Sequence, residues 1–379
     1  RIDDKVTCIV GKNESGKSAF LSALWRLNPA RTNPKFSIPQ QYPAWLEKRH
    51  RNEGVKQTEV KPIEVTLEWE LDDVKHVEEK FGQSVVMAGA PLTLWMTYDN
   101  TYGWSNGVSE EQALNNFLGT QELPQADAKS CSELRNFQAL KEQLTEAVKE
   151  HAEDGESLKA FAKALDALNA LIPDGKTFNS CMWALAKARI PQFFYFAEYS
   201  KLPYSVKIKR VLKDKDLDGS EATARALLTL GGTEDDYILN PDYERRKREL
   251  ENVANVLTED VNAYWSQNQD LRVQPDITQV TEQAQNGQQS VLDELKLRIW
   301  DNRHSLSLPF NEHSAGFQWF FSFLAAFSEY EHRDPPVVIL LDEPAVGLHA
   351  KAQADFLRFI EERLTKRSQV IYTTHSPFM

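Results

Sequence analysis

The sequence predicts a two-lobed α/β fold, with a mixed β-sheet built from both chain ends and a helical insertion between them. Three observations carry that expectation. Near the start, the short β-rich run in "KVTCIV" leads through a glycine loop into a helix-forming stretch, with Phe20, Leu21, Leu24 and Leu27 at helical spacing. Near the end, the apolar strand "PPVVILLD" is followed by the helix pattern "AKAQADFLRFIEERLTKR" and a second apolar strand, "SQVIYTT". Strands that are apolar throughout belong to parallel sheets buried on both faces. From about Glu110 to Lys187 the composition shifts to Ala, Leu, Glu, Lys and Gln, which favours helix.

The elements follow in order. Residues 57–73 alternate, with Ile63, Val65, Leu67 and Trp69 on one face, and predict a half-buried strand paired with Pro91–Asp99. The stretch "ELRNFQALKEQLTEAVKEHAEDGESLKAFAKALDALNALI" reads as two helices joined near Asp154-Gly155. "IPQFFYFAEYS" returns to strand character, and a second helical block runs from about Ser220 to Gln267. "LKLRIWD" is a strand and "GFQWFFSFLAAFSEY" a buried helix. The expected division is 1–109 for a first lobe, 110–270 for a mostly helical insertion with a strand near 193–199, and 271–379 for a second lobe. The insertion is expected to serve as a dimerisation or partner-docking arm.

Bulk properties narrow the function classes. A hydrophobic fraction of 41% is ordinary for a globular chain, and no apolar run approaches a membrane span. The sequence shows no signal-peptide pattern, and its three cysteines, Cys8, Cys131 and Cys181, form no CxxC pair. The expectation is therefore a soluble, cytoplasmic protein without a zinc site. A formal net charge of −12 argues against a surface that is basic all over. The basic cluster "YERRKRELE", Tyr243 to Glu251, mixes both signs and reads as a solvated helix face.

Three motifs carry chemistry. "GKNESGKS" matches G-x-x-x-x-G-K-[ST] in full, between a strand and a helix. Gly11 and Gly16 let the backbone curl so that N–H groups face a phosphate chain, and the helix N-terminus adds its positive end. Lys17 supplies charge to the β- and γ-phosphates, and the Ser18 hydroxyl is a Mg²⁺ ligand. The candidate nucleotide-binding set is Gly11, Lys12, Asn13, Glu14, Ser15, Gly16, Lys17, Ser18 and Ala19. In "VVILLDEP", five apolar residues deliver Asp342 to the carboxyl end of a buried strand, where ligands of parallel sheets gather. Asp342 is the second metal candidate, and Glu343 the candidate that orients and deprotonates water. "VIYTTHSP" ends its strand beside the same edge, which makes His375 a candidate γ-phosphate sensor.

This motif order resembles that of ATP-binding-cassette ATPases. "DEPAVGLHA" looks like the Walker B motif and D-loop of that superfamily, and "SAGFQWFF" like its signature loop. The resemblance implies that Ser314, Ala315 and Gly316 contact ATP held by a second protomer, with Ser314 and Gly316 small for that reason. It also implies a homodimer or higher oligomer closed around ATP and Mg²⁺. As a bare sequence feature, Ser314 equally reads as a helix N-cap. His313 stands where relatives often carry arginine, so an added cationic contact to the partner's nucleotide is in question.

Nearly three hundred residues separate the P-loop from the signature, far more than in a transporter cassette. Rad50 and SMC proteins fill that gap with a long coiled coil, whereas the helices here are short and interrupted. The compact insertion, with "FFYFAEYSKLP" and "EHSAGFQWFFSFLAAF", is similar to the OLD (overcoming lysogenisation defect) family ATPase domain. That resemblance implies ATP hydrolysis controlling a TOPRIM nuclease, fused or separate, in bacterial anti-phage defence. This chain carries no such nuclease, so it reads as the ATPase part of something longer or as a stand-alone ATPase. The alternative is a Rad50/RecF-like repair or chromosome-structure ATPase that binds DNA. The glutamine linking nucleotide to the helical lobe stays open among Gln40, Gln41 and Gln192.

Overall fold

A computed structural model describes residues 2–31, 34–151, 154–214, 217–230, 243–283, 289–344 and 346–379. The second helical block and the loop after Glu343 thus lie partly outside the described residues. The strands are β1 (Val6–Val10), β2 (Ile63–Glu68), β3 (Pro91–Met96), β4 (Tyr102–Asn106), β5 (Phe193–Phe196), β6 (Ser205–Lys207), β7 (Leu271–Gln283), β8 (Gln289–Asp301), β9 (Leu306–Pro309), β10 (Val338–Leu341) and β11 (Val370–Thr374). The α/β class expected from sequence is the one observed. Parallel and antiparallel pairings, however, lie in separate sheets.

The chain forms two compact units, Arg1–Pro34 with Pro191–Met379, and Lys35–Ile190. These boundaries fall at 34/35 and 190/191, away from 109/110 and 270/271. Apolar packing is the reason. Trp69, Leu92 and Leu94 of the strand-bearing segment share one core with Leu114, Leu140, Phe161 and Met182 of the helices that follow. The helical residues Val211, Leu227, Val253 and Leu257 instead join Phe194 of β5 and Ile339 of β10.

In the first unit, a sheet of order β1-β11-β10-β5 is parallel at every pairing. Every residue of β10 and β11 is buried, as their apolar sequences require. The Ala350–Glu362 helix connects these two strands. All four strands therefore end at one edge, and that edge carries the candidate site. A third sheet pairs β6-β8-β7 antiparallel, with β9 also on β8. The β7–β8 hairpin pairs from Leu271↔Asp301 to Gln283↔Gln289 and is far longer than "LKLRIWD" suggested. Polar residues and Pro275 dilute the strand signal of β7.

The second unit holds β2-β3-β4, antiparallel as expected for the first pair, with Ile63 and Trp69 buried. The Leu71–Phe81 helix, whose first three residues fall at the end of the stretch read as strand, begins at a capping box between Glu70 and Asp73. The helices Phe137–Glu150 and Gly155–Leu171 break at Asp154, whose side chain accepts from Glu156 N.

The Ala315–Phe327 helix is apolar nearly all round and buried from Gly316 onward except at Gln318. Phe323 shows why its rings are there. It lies 5.4 Å from Phe196, 5.6 Å from Trp319 and 5.9 Å from Phe359, centroid to centroid. Removing that ring leaves a void that such rigid neighbours fill poorly. Phe323→Ala is expected to cost about 3–5 kcal/mol of unfolding free energy, read as a lowered urea midpoint. A loss under about 1 kcal/mol would show that the ring cluster is loose.

Candidate active site

The Gly11–Ser18 loop leaves β1 and turns into the Lys17–Leu27 helix. Gly16 makes the turn at φ +90°, a left-handed conformation that side chains rarely adopt. It caps the helix with no side-chain bond, so the first-turn N–H groups are not taken by a cap. Lys17 is buried and bonds the carbonyl oxygens of Gly11 and Lys12 at 2.9 and 3.0 Å. Its Nζ also pairs with Glu343 Oε1 at 3.0 Å. An ammonium held this way is aimed across the hollow of the loop.

Asp342 follows β10 directly. Its Oδ1 accepts from Ser18 Oγ at 2.9 Å and Thr373 Oγ1 at 2.8 Å, and its Oδ2 from Tyr195 OH at 2.9 Å. Glu343 has φ +50°, and its N–H donates to Thr373 Oγ1 at 2.9 Å. This backbone twist turns the Glu343 carboxylate toward Lys17 on one side and His375 on the other. His375 Nδ1 lies 2.7 Å from Glu343 Oε2. Sequence reasoning brought Lys17, Ser18, Asp342, Glu343 and His375 to this edge; in the structure Lys17, Glu343 and His375 form one run of contacts there and Ser18 with Asp342 a second.

Two residues of the cluster were missed. Thr373 precedes the Thr374-His375 pair and is fully buried, its hydroxyl shared between Asp342 and Glu343. Tyr195 interrupts "FFYF" with a hydroxyl. Its burial pattern, with Phe194 and Phe196 in the core, marks it as facing the other way. Gln192 sits at the amino end of β5, where its carbonyl accepts from Val338 N, on the sheet edge opposite the site. That position removes it as the nucleotide-linking glutamine.

The Ser314–Gly316 segment opens the Ala315–Phe327 helix. Ser314 caps its helix, its Oγ accepting from Phe317 N at 3.3 Å, and both Ser314 and Ala315 are exposed. Gly316 is buried, and its small size is demanded within the chain. A Cβ there would lie 2.3 Å from Leu348 Cδ2 and 3.1 Å from Gly347 O. Packing against the loop after Glu343 gives Gly316 a reason to be small within this chain. Burial lowers the pKa of His313, and its Nε2 is buried without a hydrogen-bond partner. Burial thus disfavours a charged imidazole at His313.

The residues fit a nucleotide with Mg²⁺. The uncapped helix terminus and Lys17 suit phosphate oxygens. Ser18 and Asp342 supply hard oxygen donors 2.9 Å apart. Among the described residues, no group of three or more His, Cys, Asp or Glu could hold a metal. A cation here would draw its remaining ligands from phosphate and water, as Mg²⁺ commonly does. No described helix is long and apolar enough to cross a membrane.

The family described as AAA ATPase domain matches residues 1–379, and the chain belongs to that family. An uncharacterized protein of Methanocaldococcus jannaschii is 37% identical over 83 residues. That stretch is 20% of this chain and 21% of the relative, so only about a fifth of the relative's length is matched. Among solved structures, an Smc head bound to the C-winged helix domain of ScpA aligns with all of this chain and 84% of its own, at 14% identity and a TM-score of 0.42. An Smc head from Pyrococcus furiosus, bound to the C-terminal domain of ScpA, aligns with all of this chain and 85% of its own, at 11% identity and a TM-score of 0.37. The SMC head domain from Thermotoga maritima aligns with all of this chain and 82% of its own, at 12% and 0.33.

The Gly316 contact yields a measurable expectation. Gly316→Ala should lower stability by about 1–3 kcal/mol, seen as a reduced thermal midpoint. In a cycle with Leu348→Ala, the cost of the added methyl should shrink, because its nearest obstacle is gone. An unchanged cost rejects the contact.

Proposed function

We propose that this chain is an ATP-binding-cassette-type ATPase whose two copies close around two ATP molecules, and whose cycle controls a nucleic-acid-cleaving partner of the TOPRIM type. The observation that carries the reading is the convergence of Lys17, Ser18, Asp342, Glu343 and His375 at one edge of a parallel sheet. The OLD-family resemblance and a role in anti-phage defence rest on motif order and on the compact insertion. They stand as the finer part of the proposal.

Each residue has a task. The loop N–H groups and Lys17 bind the phosphates, and Ser18 with Asp342 holds Mg²⁺. Mg²⁺ held there would supply charge neutralisation to the phosphates. Glu343 takes the proton of the attacking water, giving ADP and phosphate. His375 holds the Glu343 carboxylate through Nδ1 and presents its other nitrogen toward the γ-phosphate. Ser314 and Ala315, exposed at the start of their helix, face the nucleotide of a second copy.

Three variants separate these tasks. Lys17→Ala should abolish ATP binding, measured with a fluorescent analogue. Glu343→Gln should keep binding, cut hydrolysis by about 10²–10⁴-fold and accumulate an ATP-bound dimer on size exclusion. Ser314→Arg should bind ATP normally and fail to hydrolyse it. If the Ser314 variant hydrolyses ATP at the wild-type rate, the trans-signature arrangement is wrong.

A further inference from the structure

Tyr195 lies on β5 in register with Leu340, one strand over from the strand that delivers Asp342. Its phenol donates to Asp342 Oδ2 at 2.9 Å. Its ring stacks on Trp25, from the helix that follows the glycine loop, with centroids 5.2 Å apart and planes 26° apart. The second carboxylate oxygen, Oδ1, accepts from Ser18 and Thr373. Asp342 thus has donors on both oxygens, from three different segments, and turning its plane breaks at least one of them.

We propose that Tyr195 is a positioning residue that makes the site select Mg²⁺ over larger divalent cations such as Ca²⁺. It does so by occupying the Asp342 oxygen that a larger cation would need for two-oxygen ligation. The proposal rests on the ATPase reading above and concerns the same site. Mg²⁺ requires near-octahedral geometry at about 2.0–2.1 Å and takes few protein oxygens, whereas Ca²⁺ takes about 6–8 oxygens at about 2.3–2.6 Å, with carboxylates in one- or two-oxygen modes. A carboxylate that offers Oδ1 on its Ser18 side, with Oδ2 held by a phenol, meets the first demand and resists the second. Trp25 keeps the phenol from swinging away, which links the phosphate-loop helix to the metal ligand. Without the phenolic oxygen, Oδ2 loses its donor and becomes available as a second ligand to a larger cation.

The test is a pair of affinities. Binding of a non-hydrolysable fluorescent ATP analogue is measured at saturating Mg²⁺ and again at saturating Ca²⁺, for wild type, Tyr195→Phe and Trp25→Phe, with thermal midpoints alongside. In Tyr195→Phe the preference for the Mg²⁺ complex over the Ca²⁺ complex should fall by about fivefold or more, with a near wild-type midpoint. Trp25→Phe retains the phenol and an aromatic ring and should keep most of the preference. A preference unchanged in Tyr195→Phe, or equal losses with both cations, would each overturn the proposal while leaving the ATPase reading intact. Failure of the wild type to bind the analogue with either cation would overturn the ATPase reading, and this proposal with it.

Discussion

The site depends on one buried hydroxyl. Thr373 Oγ1 donates to Asp342 Oδ1 and accepts from Glu343 N, so a single atom fixes the two adjacent acidic residues relative to each other. It can do so because β10 and β11 run parallel, with Leu341 level with Tyr372. Thr373 is then the next residue along, at the height where the chain leaves β10. A hydrogen bond with a charged acceptor contributes about 1.5–3 kcal/mol. More consequential is direction: the bond to Glu343 N holds a non-glycine residue at φ +50°, a conformation the chain would otherwise leave. The stored twist is what parts the two carboxylates, one toward Ser18 and the other toward Lys17 and His375.

Charge balance follows from that geometry. Lys17 is almost entirely out of solvent, and an unpaired ammonium there would be costly. Two carbonyl oxygens and Glu343 Oε1 surround it, so the lysine is held ready by the same carboxylate that is proposed to handle water. Glu343 Oε2, meanwhile, meets His375. One side chain therefore senses both the phosphate-binding cation and the histidine at the end of β11. A change at either neighbour reorients the group proposed to take the proton.

How much of this was legible depended on whether the signal was local. The P-loop, the DEP turn and the final histidine are each written within eight residues, between strands whose apolar runs admit one reading. They were found. Tyr195 and Thr373 were not, because their importance comes from register: Tyr195 is near Asp342 only once β5 lies beside β10, a pairing across nearly 150 residues. The unit boundaries failed for a related reason. Alternation in β2 and β3 showed that a face was buried, but not that the helices after Glu110 would cover it. The polar β7 strand lacked the composition that marks a buried strand, and its partner β8 showed only its apolar end.

Gly316 connects the catalytic edge to whatever approaches the signature helix. Ser314 and Ala315 stand exposed, while the next residue is pressed against Gly347 and Leu348. Those residues follow Glu343 closely, and Val346 N bonds back to the Glu343 carbonyl at 3.1 Å. Leu348 is tied further by its carbonyl, which accepts from buried Gln353, and Gln353 in turn accepts from Ser376 just beyond His375. The contact chain thus runs from the helix cap through the loop to both flanks of the Glu343–His375 pair. Its tightest step is the approach of Gly316 to Leu348 and Gly347, while Val346 and Gly347 themselves are exposed. In the proposed dimer, a second copy seated on Ser314 would be linked to Glu343 through this run of contacts. The smallness of Gly316 is what allows that chain of contacts to close.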